Sequence, residues 1–145
     1  MLNREIMSTH IVDCTPETSL EVAAKLMADS GCGALPVVDH LQQRRLLGII
    51  TDRDIITRGL ANGLDPVTAT VASCMSAPVI AVGWHDEVER SCRLLEEHQI
   101  RRIPVIDEAG VCCGMLAQAD IARYASADLT AHLLKEVSTP SSLGR

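Results

Sequence analysis

Gly48-Ile49-Ile50-Thr51-Asp52-Arg53-Asp54 combines residue types that can hold a sugar and an anion. A strand pattern ends here and a helix pattern begins. Thr51 therefore falls at the helix N-cap, beside unpaired amides and the positive end of the dipole, where an anion such as phosphate is favoured. Gly48 permits close backbone approach. Asp54 stands one turn in, and its carboxylate can accept two hydrogen bonds from a vicinal diol such as that of a ribose. Together they suit a nucleotide. The same residues also spell an ordinary helix start, a hydroxyl cap with an acid in the first turn. Short motifs of this kind are cheap, and the residues alone leave both readings standing.

The elements that must position these residues occur twice. Met7-Ser8 recurs 68 positions on as Met75-Ser76, and Leu35-Pro36-Val37-Val38-Asp39 recurs in the same register as Ile103-Pro104-Val105-Ile106-Asp107. Gly48-Ile49-Ile50 recurs as Gly114-Met115-Leu116 and Asp54-Ile55 as Asp120-Ile121, now 66 positions on, so the second copy has lost two residues in a turn. A repeat of this length is one supersecondary unit that buries its apolar face against its twin. A seam with two related clefts is where ligands tend to bind.

Each copy reads strand, helix, strand, strand, helix. In the first, His10-Ile11-Val12 is a short strand. A helix over 18–30 carries Leu20, Ala23, Ala24 and Met27 as one apolar stripe, with Thr18 and Glu21 spaced as a capping box and Gly31 as its stop. In the second, Asp86 is the cap, Glu89 follows three later, and Val88, Ser91, Cys92 and Leu95 form the stripe. Strands over 34–39 and 45–50, and again over 102–107 and 111–117, are close enough to pair as hairpins. Closing helices follow over 52–60 and 118–125. The breaker-rich stretch 61–66 links the copies, 67–73 adds a helical turn, and 128–137 adds a last helix before a frayed tail. The organisation expected is a first repeat over 1–64, a second over 65–126, and a C-terminal helix and tail over 127–145.

Composition narrows the function. Of 145 residues, 47% are apolar, yet there is no Phe, one Trp and one Tyr. Stacking platforms for single-stranded nucleic acid are therefore missing. The net charge of −6 and the lack of a basic run argue against a nucleic-acid partner. No apolar run reaches the length of a membrane span and no signal-peptide layout opens the chain, so the expectation is a cytoplasmic protein with no membrane partner and mostly reduced cysteines.

Cys14, Cys32, Cys74, Cys92, Cys112 and Cys113 show no C-x-x-C and no zinc-ribbon spacing, and no metal site is expected. Cys112 and Cys113 should point to opposite faces of a strand. Cys14 and Cys32 stand as candidates for redox sensing, against the plainer reading of cysteines as small core residues. His10, His40, His85, His98 and His132 are scattered, with no metal or triad spacing. His98 suits a helix C-terminus. Glu96-Glu97 reads as a solvated face. No nucleophile and base emerge, so the chain is not expected to be an enzyme.

Taken together, Met-Ser before the first strand, Leu/Ile-Pro-Val-Val/Ile-Asp, and G-x-x-T-x-x-D, in this order and duplicated, resemble CBS domains, the regulatory repeats named after cystathionine β-synthase. The resemblance runs from about Asn3 to Ala125. It implies an α/β (α+β) fold of two β-α-β-β-α repeats packed sheet to sheet with pseudo-twofold symmetry, known as a Bateman module. It also implies an adenosyl ligand in the cleft between the copies: AMP, ADP, ATP, and in some members NAD or S-adenosylmethionine. Carried over, the site is Thr51 and Asp54 with Ser76, Pro78, Ile80, Ile100, Arg101 and Arg102. A weaker second site is Asp120 with Ser8, His10, Val12, Cys32, Gly33 and Ala34. It is expected weaker because Ala117 stands where the first copy has Thr51, removing a cap and a phosphate donor.

The function expected is a stand-alone regulatory or sensory module. It requires no cofactor, takes an adenine nucleotide as regulatory ligand, and signals to an unknown effector protein by conformational or oligomeric change. A homodimer is expected, since symmetric pairing of exposed faces is the general route. The competing expectation is a ligand-free interaction or structural module, with a redox-responsive variant acting through cysteines.

Overall fold

A computed structural model describes residues 1–124 and 133–137. Its described elements are α1 (Asn3–Ile6), α2 (Leu20–Ser30), β1 (Ala34–Val38), β2 (Leu46–Thr51), α3 (Asp52–Asp54), β3 (Val82–Gly83), α4 (Val88–His98), β4 (Arg102–Ile106), β5 (Cys112–Ala117) and α5 (Gln118–Tyr124). The helix expected over 128–137 is helical at 133–137, whereas 128–132, His132 and the expected tail lie outside the described residues. No helix among the described residues is long and apolar enough to cross a membrane.

The chain forms two compact units, each built across the repeat boundary. One comprises 1–11, 80–108 and 113–145, and the other 12–79 and 109–112. Each has its own core of small and aliphatic side chains. Leu20, Leu35, Val37, Ile50 and Val71 centre the unit of the first copy, and Val88, Leu95, Ile103, Val105 and Leu116 that of the second.

In the unit of the first copy, β1 and β2 pair antiparallel, as the hairpin pattern predicts, with a bulge between Val37 and Val38. Ile49, opposite Pro36, turns its amide and carbonyl to Ser76 instead, so the proline is asked for no ladder bond there. The predicted strand over 10–12 does not form. The unit boundary falls between Ile11 and Val12, and only single bridges remain on either side, Ser8 with Met115 and Cys14 with Val37. In the unit of the second copy β3 runs parallel to β4, pairing Val82 with Val105 as Cys14 pairs with Val37 68 positions earlier, and β5 lies beyond β4.

Helix α2 starts one residue later than Thr18 and Glu21 suggest. Ser19 is the N-cap and accepts from Val22 N at 3.2 Å, because the Thr18 hydroxyl is taken by Thr15 N at 3.1 Å. Leu20, Ala23 and Met27 are buried, but Ala24 is exposed, so the apolar stripe is narrower than its spacing implies. Gly31 ends the helix at φ +66, where a side chain would be strained. The stripe of α4 is buried throughout, at Val88, Ser91, Cys92 and Leu95. Its N-cap is Glu87 rather than Asp86, whose carboxylate is spent on Gly83 N at 2.8 Å. Ser91 donates to Asn3 Oδ1 at 2.9 Å, a buried bond, and Asn3 donates to the half-buried Gly83 carbonyl at 2.8 Å, fixing α1 to its unit.

The closing helix of the first copy is not a uniform α-helix. After the single turn of α3 the chain widens into a π-helix over Ile55–Gly59 and tightens to a 3-10 turn over Leu60–Asn62. The helical turn expected over 67–73 is confined to Val71–Ser73.

Candidate functional site

Thr51 and Asp54 cap each other. Thr51 Oγ1 accepts from Asp54 N at 3.1 Å, and Asp54 Oδ2 accepts from Thr51 N at 3.0 Å. Thr51 ends β2 and Asp54 lies in the first turn of α3, so the strand-to-helix corner sets both side chains. Asp54 is 8% exposed. Its Oδ1 faces Arg58 Nε at 3.9 Å. From Arg58, Nη1 donates to the carbonyls of Cys74 at 3.3 Å and Met75 at 3.4 Å, and to Ser76 Oγ at 3.4 Å. Arg58 is thus a site residue that sequence reasoning missed. The signal available was its i,i+4 spacing from Asp54.

The approach that Gly48 permits is made by protein. Ser76 exchanges backbone hydrogen bonds with Ile49, at 2.9 and 3.1 Å. A Cβ on Gly48 would stand 2.6 Å from the Ser76 carbonyl oxygen. Met75-Ser76, which opens the second copy, therefore serves the Gly-Ile strand of the first.

The second copy repeats the construction with the roles exchanged. Ser8 and Met115 exchange backbone bonds at 2.8 and 3.0 Å, and a Cβ on Gly114 would run into the Met7 side chain. Gln118 N donates to the Arg101 carbonyl at 2.8 Å, as Asp52 N donates to that of Gly33 at 2.9 Å. Asp120 Oδ2 accepts from Ala117 N at 2.8 Å. Replacing threonine by Ala117 thus removes the hydroxyl half of the box, while the amide of Ala117 keeps a carboxylate partner. Ser8 and Asp120 line one pocket of about 270 Å³ with Glu5, Ile6, Met7, Arg123 and Tyr124.

The remaining residues named from sequence divide between the units. Pro78, exposed after a cis Ala77–Pro78 bond, shares a unit with Thr51, Asp54 and Ser76, whereas Ile80, Ile100, Arg101 and Arg102 belong to the other. Ser8, His10 and Asp120 share a unit, and Val12, Cys32, Gly33 and Ala34 lie in the unit of the first copy.

The cysteine candidates differ in character. Cys14 is 2% exposed, and burial, helped by the Asp13 charge, pushes its thiol up to about 12. A thiol held neutral is a poor redox centre. Cys32 is half-buried and donates to the Ala34 carbonyl at 3.0 Å. Among the described residues no group of three His, Cys, Asp or Glu side chains converges to hold a metal ion.

Comparison with known proteins adds four findings. The CBS domain family matches residues 4–60 and 71–127. Hypoxic response protein 1 of Mycobacterium tuberculosis is 35% identical over 140 residues, 97% of this chain and 96% of that protein. The crystal structure of Hypoxic Response Protein I with two coordinated zinc ions superposes with a TM-score of 0.79 at 36% identity, covering 87% of this chain and all of that one. The structure of CBSX2 in complex with AMP superposes at 0.74 with 25% identity, covering 86% of this chain and 95% of that one.

Proposed function

This chain belongs to the CBS domain family, and from that premise we propose that it is a regulatory module whose ligand is an adenosyl nucleotide. One observation carries the reading: the chain builds the same acidic corner twice. In each copy an aspartate, Asp54 or Asp120, is oriented by the amide three residues before it. In each, the Met-Ser of the other copy is fixed to the neighbouring strand, by Ser76 on Ile49 or Ser8 on Met115. An aspartate with one oxygen so fixed presents the other in a set direction, which is what a ribose diol requires of its acceptor. CBSX2, of like fold, is known with AMP bound.

In this reading Asp54 takes the ribose, with Thr51, Ser76 and Pro78 in the same unit. Asp120 heads the second site with Ser8 and His10 of its own unit. The ligand is regulatory rather than a substrate. It biases a conformational or oligomeric equilibrium that an effector protein reads. The chain works as a homodimer in the cytoplasm, in a stress response such as the name of its mycobacterial relative denotes.

The test is thermal denaturation with AMP, ADP, ATP, NAD and S-adenosylmethionine in turn. A ligand that binds only the folded chain raises the midpoint in proportion to its occupancy. The reading expects a rise with at least one adenosyl compound, reduced by Asp54→Ala. No rise at millimolar concentration selects the interaction module instead. That second reading draws on the mutual capping of Thr51 and Asp54, which already gives both side chains partners.

A further inference from the structure

The register that sets Asp54 against Asp120 sets Arg58 against Tyr124, again 66 positions on. This is the sharpest chemical difference between the two corners. Arg58 lies in the π-helical stretch directly after Asp54. Its guanidinium reaches four acceptors at 3.3 to 3.9 Å, among them Asp54 and Ser76. Charge-assisted bonds to a well-seated partner run shorter, at about 2.7–2.9 Å. The guanidinium is thus shared loosely among several partners, half exposed, between the two side chains assigned to the ligand. A phosphate, with its full charge and three acceptor oxygens, is a better partner than any of the four.

Tyr124 brings no charge to its corner. It lines the pocket shared by Ser8 and Asp120, where the two carboxylates of Glu5 and Asp120 outnumber the one guanidinium of Arg123. That guanidinium stands over the Tyr124 ring, 5.8 Å from its centre. A phosphate entering here would meet net negative charge and, at Ala117, no hydroxyl donor.

We propose that Arg58 and Tyr124 set the ligand class of the two corners: Arg58 selects a nucleoside carrying a phosphate at Asp54, and the Asp120 pocket takes a nucleoside without one. This rests on the adenosyl reading above and adds the charge each corner prefers.

The experiment is calorimetric titration of the full chain with AMP and with adenosine. Asp120→Asn leaves the Asp54 corner to be measured alone, and Asp54→Asn leaves the Asp120 pocket. In the Asp120→Asn protein AMP should bind about tenfold or more tightly than adenosine, the yield of one charge-assisted contact. Adding Arg58→Gln should bring that ratio near one, because losing the phosphate contact weakens AMP alone, whereas losing the contacts to Asp54 and Ser76 acts on both compounds alike. In the Asp54→Asn protein adenosine should bind at least as tightly as AMP. A ratio indifferent to Arg58→Gln, or an Asp54→Asn protein preferring AMP, overturns the assignment. Should either asparagine variant lose its fold by circular dichroism, Tyr124→Arg in the otherwise native chain decides. It should add AMP affinity relative to adenosine, and no gain overturns the proposal. Failure of AMP, adenosine and the other adenosyl compounds alike to bind the native chain at millimolar concentration is a different result, and it removes the adenosyl reading itself.

Discussion

The carbonyl oxygen of Ser76 lies 2.6 Å from where a side chain on Gly48 would begin. Both partners are main chain, tied by two hydrogen bonds between Ser76 and Ile49, so neither can swing aside. Gly48→Ala should therefore destabilise the chain by about 1–3 kcal/mol, as overpacking does. Gly63 has open space around its missing side chain. There the cost of alanine comes from the positive φ of +75 alone, so it should fall below that at Gly48. Urea denaturation of the two variants decides the order.

The helix starts differ by one hydroxyl. Thr51 Oγ1 accepts from the Asp54 amide, and Ala117 has nothing to offer the Asp120 amide. Thr51→Ala should cost about 1 kcal/mol and Ala117→Thr should return part of that to the other unit, the usual worth of an N-cap. Thermal midpoints should move in opposite directions. A fall for both would show that the second helix start has no room for the cap.

What was legible in the sequence, and what was not, follows from the range of each interaction. The stripe of α4, the stop at Gly31, the hairpin of β1 and β2 and the cap at Thr51 depend on neighbours a few residues apart, and local patterns encode them. The crossing of Met7-Ser8 and Met75-Ser76 to the opposite copy's strand depends on pairings between distant segments, and no periodicity carries it. The i,i+4 spacing of Arg58 from Asp54 was legible, but its bond to Ser76 was not, since that partner is brought beside it only by the crossing. The misplaced caps are a finer failure. Thr18 and Asp86 are competent caps whose oxygens were claimed by nearer turn amides, Thr15 and Gly83.

Alkali should loosen the fold through Cys14 and Cys92. Burial raises these thiols to about 12 and about 11. The unfolded chain releases those protons near the ordinary thiol range, so the stabilisation is complete below about pH 8.5 and is lost as pH rises through the folded values. The urea midpoint should fall between pH 8 and pH 11, and less steeply in Cys14→Ala. At pH 8 iodoacetamide should leave Cys14 unlabelled in the folded chain and label it in urea. Ready labelling in the folded state would reopen redox sensing at that residue.

The buried link between Ser91 and Asn3 joins α4 to α1. Ser91→Ala leaves Asn3 Oδ1 without its donor at a site closed to water, at a cost of about 1–3 kcal/mol. Hydrogen exchange should then quicken at the amides of residues 3–7 before those of β4. Unchanged exchange in that segment would show that the link contributes nothing to holding α1.

The most direct measurement is equilibrium titration of the native chain with AMP, beside the Asp54→Asn/Asp120→Asn double variant. Asparagine keeps an oxygen for the amides of Thr51 and Ala117, so the corners stay capped while both ribose acceptors lose their charge. Saturable binding to the native chain, weakened at least about tenfold in the folded double variant, is the result predicted for loss of charge-assisted contacts. Equal affinity in both proteins, or no binding by the native chain, would contradict the account.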